Sequence, residues 1–203
     1  MPAVVLQIGG RIRAERARRG ISLRGLARSV GLSPSLISQI ETGKCQPSVS
    51  TLYAITTVLG ISVQDVFGES APVSGPVPGQ VASGQVRSAI PGLAEPGQRE
   101  ILELDSGVTW ERLGHAPGSQ VDFLLVSYAP ASCSSPAGHL MQHSGTEYGY
   151  LLRGELLVTL GSRSHRLTPG DSVTFTSATP HSYRNEGTVP AVGVWFVVGP
   201  DGA

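Results

Sequence analysis

The sequence predicts an α + β protein of two domains, a bundle of five short helices followed by an antiparallel β-sandwich or small barrel. Three observations lead to this prediction. Apolar residues recur at helical spacing up to Gly68, a stretch rich in Pro and Gly follows, and short apolar or alternating segments separated by turn residues continue from about Gln85. The 203 residues are enough for two small domains.

The composition also sets the expected domain boundaries. Residues 1–69 are predicted to form the helical domain, 70–84 a linker and 85–203 the β domain. The linker contains Ala71-Pro-Val-Ser-Gly-Pro-Val-Pro-Gly79, which has no charge and which its prolines should hold partly extended.

Charge is divided unevenly between the two halves of a chain whose formal net charge is zero. Residues 1–69 carry eight basic and four acidic side chains, a net +4, and residues 70–203 carry seven basic and eleven acidic ones, a net −4. A basic domain joined to an acidic one indicates a helical head that binds a polyanion. No apolar run reaches the ~18–20 residues that cross a bilayer. The first residues also lack the basic flank of a secretion signal. We therefore expect a cytoplasmic protein without a membrane partner.

Helix start and stop signals locate the five helices. Ser22 and Ser33 are expected to cap the second and third helices, and Pro34 occupies a first helical position, where its missing N–H costs nothing. A tight turn at Gly31 separates these two helices, which is the pattern of a helix-turn-helix. The predicted helices cover Ile8–Arg19, Leu23–Val30, Pro34–Glu41, Thr51–Leu59 and Ser62–Phe67.

The residues of the third helix make a more specific match. The runs Ser35-Leu-Ile-Ser-Gln-Ile-Glu-Thr-Gly-Lys44 and Gln46-Pro-Ser-Val-Ser-Thr-Leu52 resemble the phage-repressor-like (XRE-type) family of helix-turn-helix transcription regulators. The resemblance implies that the third helix enters the major groove of double-stranded DNA. Ser35, Ser38 and Gln39 would then read bases, with Gln39 suited to an adenine edge, and Arg24 and Lys44 would contact phosphates. Ser33 is expected to act as a cap rather than as a DNA contact.

Short strand-like segments fill the β domain. They are predicted at Val86–Ile90, Ile101–Leu104, Val108–Arg112, Val121–Tyr128, Tyr148–Arg153, Glu155–Leu160, Ser172–Thr176, Ser182–Arg184 and Ala191–Val198. The aromatic residues among them are predicted to form core or interface, and His115 and His165 are predicted to lie exposed in turns.

Two longer runs carry a second resemblance. His139-Leu-Met-Gln-His-Ser-Gly-Thr-Glu-Tyr-Gly-Tyr-Leu-Leu-Arg-Gly154 and Pro169-Gly-Asp-Ser-Val-Thr-Phe-Thr-Ser-Ala-Thr-Pro-His-Ser-Tyr-Arg-Asn185 resemble the two motifs of the cupin family. The resemblance implies an antiparallel β-barrel of jelly-roll type.

The same motifs imply a candidate metal site. His143, Glu147 and His181 match three of the four ligand positions of metal-binding cupins, whereas Met141 occupies the fourth, and a thioether is a poor ligand for hard or borderline divalent metals. Four strand residues would separate His139 from His143 by ~13 Å, so His139 could replace Met141 only through a bulge. Two alternatives follow. The triad binds one divalent ion (Zn, Fe or Ni), or a metal-free pocket binds a small ligand directly.

Together the two resemblances imply a ligand-responsive transcription regulator rather than an enzyme. Proteins that join these two modules are commonly repressors, but the sequence leaves repression and activation open. The barrel would sense a small-molecule effector, and a homodimer would bind a palindromic operator. The alternative is a cupin metalloenzyme that resembles the iron-dependent hydroxypropylphosphonate epoxidase, an oxygenase that also joins a helix-turn-helix-like segment to a cupin. That enzyme uses a His-x3-Glu pair and a distant His, a spacing that His143, Glu147 and His181 share.

Overall fold

The computed structural model describes residues 4–5, 8–67, 92–116, 119–136 and 139–199. The predicted linker at 70–84 and the predicted strand at Val86–Ile90 lie outside these residues, and the boundaries proposed there stay predictions. Within the described ranges, no helix is long and apolar enough to cross a bilayer.

The helical part confirms the five predicted helices and their caps. Ser22 and Ser33 each accept a hydrogen bond from a backbone N–H three residues later, at 3.0 and 3.1 Å. The fourth helix begins two residues earlier than predicted because Ser48 caps it in the same way. The helices are α1 (Gly9–Arg18), α2 (Leu23–Val30), α3 (Pro34–Glu41), α4 (Val49–Leu59) and α5 (Val63–Phe67).

Close packing of α1 against α3 holds the bundle together. A Cβ at Gly9 would lie only 2.1 Å from the Ile40 carbonyl oxygen, so a side chain at position 9 would push the two helices apart. The guanidinium of Arg16 contacts the buried carboxylate of Glu41 through two hydrogen bonds of 2.6 and 2.9 Å. This ion pair ties α1 to the end of α3, whose outer face is then presented to solvent.

The β domain forms two antiparallel sheets around a common core, which confirms the predicted fold class. One sheet has seven strands in the order β1-β2-β3-β4-β10-β5-β8, with β1 parallel to β2, and the other has the order β7-β6-β9. The strands are β1 (Val4–Val5), β2 (Glu100–Leu104), β3 (Val108–Gly114), β4 (Val121–Tyr128), β5 (Thr146–Arg153), β6 (Leu156–Leu160), β7 (Arg163–Leu167), β8 (Ser172–Thr176), β9 (His181–Arg184) and β10 (Ala191–Val198).

Two strands, β1 and β7, were not predicted from the sequence. In β7 only Leu167 is buried, so the strand lacks the alternation of apolar and polar residues on which the prediction relied. His165 therefore lies in a strand and not in a turn, although its side chain is exposed as expected.

The two domains are in direct contact. The N–H of Ser50 in α4 donates to the Ser134 carbonyl at 3.0 Å, and the N–H of Asp105 donates to the Pro47 carbonyl at 2.9 Å. The guanidinium of Arg112 on β3 lies 5.3 Å from the ring centre of Phe67 in α5. The sequence predicted a linker between the domains but did not predict this interface.

A buried carboxylate lies in the interface. Asp122 on β4 lies near Gln64 of α5 and Arg112 of β3. Burial raises the pKa of Asp122 to about 7, an increase that Arg112 and Gln64 oppose and that Asp65 adds to. The neutral acid is therefore the form that the interface favours.

Asp122 should make the free energy of unfolding depend on pH. Because its folded pKa of about 7 exceeds its usual value of 3.8, its stabilising contribution is complete below about pH 4 and is lost as the pH rises through about 7. We expect Asp122→Asn to reduce the fall in the free energy of unfolding between about pH 5 and about pH 8, measured by urea titration. Glu103→Gln, at an exposed carboxylate on β2, should leave the wild-type slope. Equal slopes for wild type and Asp122→Asn would contradict this assignment.

Candidate functional site

The predicted DNA-reading residues share one side of α3. Ser35, Ser38 and Gln39 are spaced i, i+3, i+4, which places them on one helix face; Ser35 and Gln39 are exposed and Ser38 is partly exposed. On the opposite side, Ile37 and Ile40 are buried in the core. The helix thus presents a polar surface to solvent, and the contact of this surface with bases stays a prediction.

The two predicted phosphate contacts are also exposed. Arg24 lies in the first turn of α2, and Lys44 lies in the turn after α3, where its N–H donates to the Gln39 carbonyl at 2.9 Å. The hydrogen bond holds this turn against the end of α3. The roles of both residues toward DNA remain untested.

Several arginines of α1 are engaged within the protein. Arg16 contacts Glu41, Arg18 pairs with Glu15, and Arg11 donates to the Val66 carbonyl at 3.0 Å. The net charge of +4 already counts Glu15 and Glu41, but fewer than the eight basic side chains of this domain are left to face a polyanion.

His143, Glu147 and His181 come together inside the barrel. Glu147 lies on β5, His181 begins β9, and His143 precedes β5. The Nε2 atoms of His143 and His181 lie 3.0 and 2.9 Å from Glu147 Oε1. One ligand atom from each residue lies within 4.8 Å of the others, and all three side chains are buried. The geometry confirms that the residues form one cluster.

The protonation of the two imidazoles follows from their outer contacts. His143 Nδ1 lies 3.1 Å from the Ser144 carbonyl oxygen, and His181 Nδ1 lies 2.8 Å from that of Thr179. A carbonyl oxygen only accepts, so each Nδ1 carries the proton, and in a neutral ring Nε2 is left with a lone pair. Two lone pairs then face a carboxylate, an arrangement that requires either a cation between them or protonation of the rings.

Glu147 has one oxygen satisfied and one directed at the histidines. Its Oε2 accepts a hydrogen bond of 2.6 Å from the hydroxyl of Tyr183, which itself accepts one of 3.2 Å from Trp195 Nε1. Burial acts to raise the pKa of Glu147. When the rings of His143 and His181 are protonated, their hydrogen bonds and positive charge outweigh burial and lower the pKa to about 2. The side chain is therefore a carboxylate at neutral pH. It has the charge and the free oxygen that a divalent cation requires.

The residues present fit a three-ligand metal centre. Metal-bound histidines commonly donate their second ring N–H to a backbone carbonyl, as both imidazoles do here. Two His and one carboxylate match a centre with open positions for Fe(II) or Zn(II). Met141 is buried beside the cluster, whereas His139 is exposed and takes no part in it.

The cluster borders a small cavity of about 20 Å³. Its walls are mostly apolar and aromatic: Val49, Tyr53, Trp110, Leu124, Val126, Tyr128, Met141, Glu147, Tyr183, Trp195 and Val197. Val49 and Tyr53 belong to α4 of the helical domain, and the ring of Tyr53 stacks on that of His143 with 3.7 Å between centroids and 4° between planes. The sequence did not indicate this role for Tyr53, because a buried aromatic in a helix predicts bundle core.

A helix-turn-helix bundle joined to a barrel with a buried His–Glu–His cluster defines a class, the helix-turn-helix proteins with a C-terminal cupin domain. Comparison with known families agrees with this class. A helix-turn-helix family model (HTH_31) matches residues 7–66, and a cupin family model (Cupin_2) matches residues 124–197.

Similar proteins share the whole arrangement. The HTH-type transcriptional regulator PuuR of Escherichia coli (strain K12) is 28% identical over 179 residues, 87% of this chain and 86% of its own. The crystal structure of an HTH_3 family transcriptional regulator from Vibrio cholerae covers 96% of both chains with 23% identity and a TM-score of 0.65, which shows the same fold. The resemblance to XRE-type regulators with a cupin domain is thus confirmed.

The enzyme named as the alternative also aligns with this chain. Hydroxypropylphosphonic acid epoxidase from S. wedmorenis covers 97% of this chain and 100% of its own, with 20% identity and a TM-score of 0.43. Similarity of this degree carries no argument about activity.

Proposed function

We propose that this protein is a transcriptional repressor, not an enzyme, that binds double-stranded operator DNA as a homodimer in the cytoplasm. Its barrel binds one divalent metal ion and a small-molecule effector. The observation that carries the proposal is the exposed polar face of α3, Ser35, Ser38 and Gln39, on a capped helix whose other side is buried. An exposed third helix of this kind is the element that enters the major groove in helix-turn-helix proteins.

Substitutions on and beside α3 should separate base reading from phosphate contact. Gln39→Ala should remove about 1–3 kcal/mol of discrimination between operator and unrelated DNA, because one bidentate base contact is lost. Lys44→Ala should weaken binding to both DNAs alike and lower the salt-dependence slope by about one. Binding is measured by fluorescence anisotropy on DNA from upstream of the protein's own gene, at several salt concentrations.

Arg18→Ala provides a control for the loss of one basic side chain, because Arg18 lies on α1 rather than α3 and pairs with Glu15. It should leave specific binding at the wild-type value. If Gln39→Ala also leaves sequence discrimination intact, the proposed reading face is wrong.

The metal proposal rests on the unpaired imidazole nitrogens. His143, Glu147 and His181 would hold the ion through two Nε2 atoms and Oε1. A divalent cation would remove the repulsion between these lone pairs and offer open positions to an oxygen or nitrogen donor of the effector. Tyr183 would keep the carboxylate oriented by occupying its other oxygen.

Metal content distinguishes the triad from a metal-free pocket. We expect purified wild-type protein to bind one equivalent of Zn(II), Fe(II) or Ni(II) by mass spectrometry of the metals, and His143→Ala to lose it. His165→Ala changes an exposed imidazole on β7 and should bind metal like wild type. Wild-type protein that takes up no metal would favour the metal-free pocket. Oxygen consumption by the iron-loaded protein with a small substrate would favour the oxygenase alternative.

A homodimer is supported by an apolar face on the outside of the seven-stranded sheet. Register places Phe123, Phe196 and Tyr148 in one row across β4, β10 and β5, and the rings of Phe123 and Phe196 stack at 4.5 Å. The neighbouring row contains Val194 and Tyr150. Of the seven exposed large hydrophobic side chains among the described residues, four lie on this face. A second copy is the occupant we propose, because an operator of two half-sites requires two reading helices related by symmetry.

A charge on this face should dissociate the dimer. Tyr150→Glu would bury a carboxylate against apolar side chains, so we expect a monomer in sedimentation velocity and a loss of operator binding. Val189→Glu introduces the same charge at a position that is 57% exposed outside this face, and should remain dimeric. A dimeric Tyr150→Glu protein would place the interface elsewhere.

A further inference from the structure

The helical domain supplies part of the wall of the barrel site. Val49 and Tyr53 of α4 line the cavity, whose volume is about 20 Å³. One water molecule needs about 10–15 Å³, so a cavity of this size admits a water or two and nothing larger. An organic effector therefore has no room in the barrel while α4 is docked against it.

The ring of Tyr53 lies beside the His–Glu–His cluster. It stacks on His143, whose Nε2 faces Glu147, and it also packs at a tilt against Trp110 with 5.8 Å between ring centroids. A ligand larger than water that binds at the cluster and extends toward α4 would have to displace this ring. Displacing Tyr53 would remove a stacking contact between α4 and the barrel.

A second connection runs through hydrogen bonds from the start of α4 to Glu147. The Ser50 N–H donates to the Ser134 carbonyl at 3.0 Å. The N–H of Ser134 donates to the Tyr183 carbonyl, and Ser134 Oγ accepts from the Tyr183 N–H, both at 2.9 Å. The hydroxyl of Tyr183 then donates to Glu147 at 2.6 Å. The cluster and the helical domain are thus joined by both the ring stack and this chain.

Movement of α4 would reach the DNA-reading helix directly. Only the seven residues 42–48 separate α3 from α4, and within them Pro47 accepts the hydrogen bond from Asp105 of the barrel domain. Lys44, a proposed phosphate contact, lies in the same segment. The contacts of α4 and Pro47 with the barrel domain therefore help to fix the position of the reading helix relative to the barrel.

We propose that Tyr53 is the gate of the barrel site, so that an effector larger than water binds only when Tyr53 and α4 leave the barrel, and that this release changes the affinity for DNA. The inference rests on the proposed function, a DNA-binding head and a ligand-binding barrel, and adds how the two are coupled. It assigns to Tyr53 a positioning role and no contact with DNA.

The tryptophans of the chain allow a direct test on the full-length protein. The sequence contains two, Trp110 and Trp195, and both line the cavity and are 4% exposed. Acrylamide, a neutral quencher larger than water, should quench their fluorescence weakly in wild type and severalfold more strongly in Tyr53→Leu, which lacks the ring. Tyr53→Phe keeps the stacked ring and should behave like wild type, as should Thr57→Ala at an exposed position of α4. Circular dichroism and urea unfolding establish that each variant is folded.

The same proteins are then compared on operator DNA. Tyr53→Leu should change the dissociation constant by about 5–150-fold, the range of allosteric coupling, and Tyr53→Phe should not. Quenching equal to that of wild type in Tyr53→Leu would overturn the gate, and increased quenching with unchanged DNA affinity would overturn the coupling. A wild-type protein that binds no DNA would instead refute the proposed function, while the quenching comparison still decides the gate. If Tyr53→Leu does not fold, Tyr53→Met is used in the same two measurements.

Discussion

The barrel is organised around one buried charge, the carboxylate of Glu147. An ionised carboxylate in an apolar interior costs several kcal/mol unless it is paired and hydrogen-bonded. Here one oxygen is held by Tyr183, which is backed by Trp195, and the other faces two imidazoles. Glu147 lies on the seven-stranded sheet, whereas Tyr183 and His181 lie on β9 of the three-stranded sheet. Satisfying this one charge therefore fixes how the two sheets face each other and where a cation could bind.

The helical domain packs against the barrel and contributes side chains to this interior. Domains joined by a linker are by default expected to move independently, unless the interface between them is substantial and well packed. In this chain α4 provides a ring to the cavity, α5 brings Phe67 under Arg112, and Asp122 is buried between the domains. A carboxyl whose pKa is raised to about 7 prefers its neutral form there, so the interface is weakened when that group is ionised. The interface therefore holds the two domains in one arrangement and is weakened when Asp122 is ionised.

Local chemistry explains what the sequence could predict and what it could not. Ser22 and Ser33 specify helix starts through their own backbone contacts, and His143, Glu147 and His181 are recognisable from their spacing in a known motif. Strand alternation does not explain the whole spacing, because Glu147 and His181 lie on strands whereas His143 precedes β5. β7 was not predicted because its residues do not alternate between apolar and polar side chains. The strand forms by pairing with β6. The contact of Tyr53 with the barrel could not be predicted, because a buried aromatic residue in a helix has the same local pattern whether it packs in its own bundle or on another domain. Its contact with His143 depends on how the two domains dock, which no local signal encodes.

The small cavity also limits what the proposed effector could be. A ligand shifts an equilibrium between two arrangements only by the difference in its affinity for them, so one that binds equally well with α4 docked or released changes nothing. An occupant no larger than a water or two need not disturb Tyr53. A ligand that reaches from the cluster into the space of the Tyr53 ring can bind only when α4 has left the barrel. Its whole binding free energy then favours that arrangement over the one with α4 docked. Glu147 is the one carboxylate among the lining residues, so a divalent ion would leave the site with a net positive charge that favours an anionic donor. With a metal in the proposed site, size and charge together would therefore favour a small anion as the proposed effector.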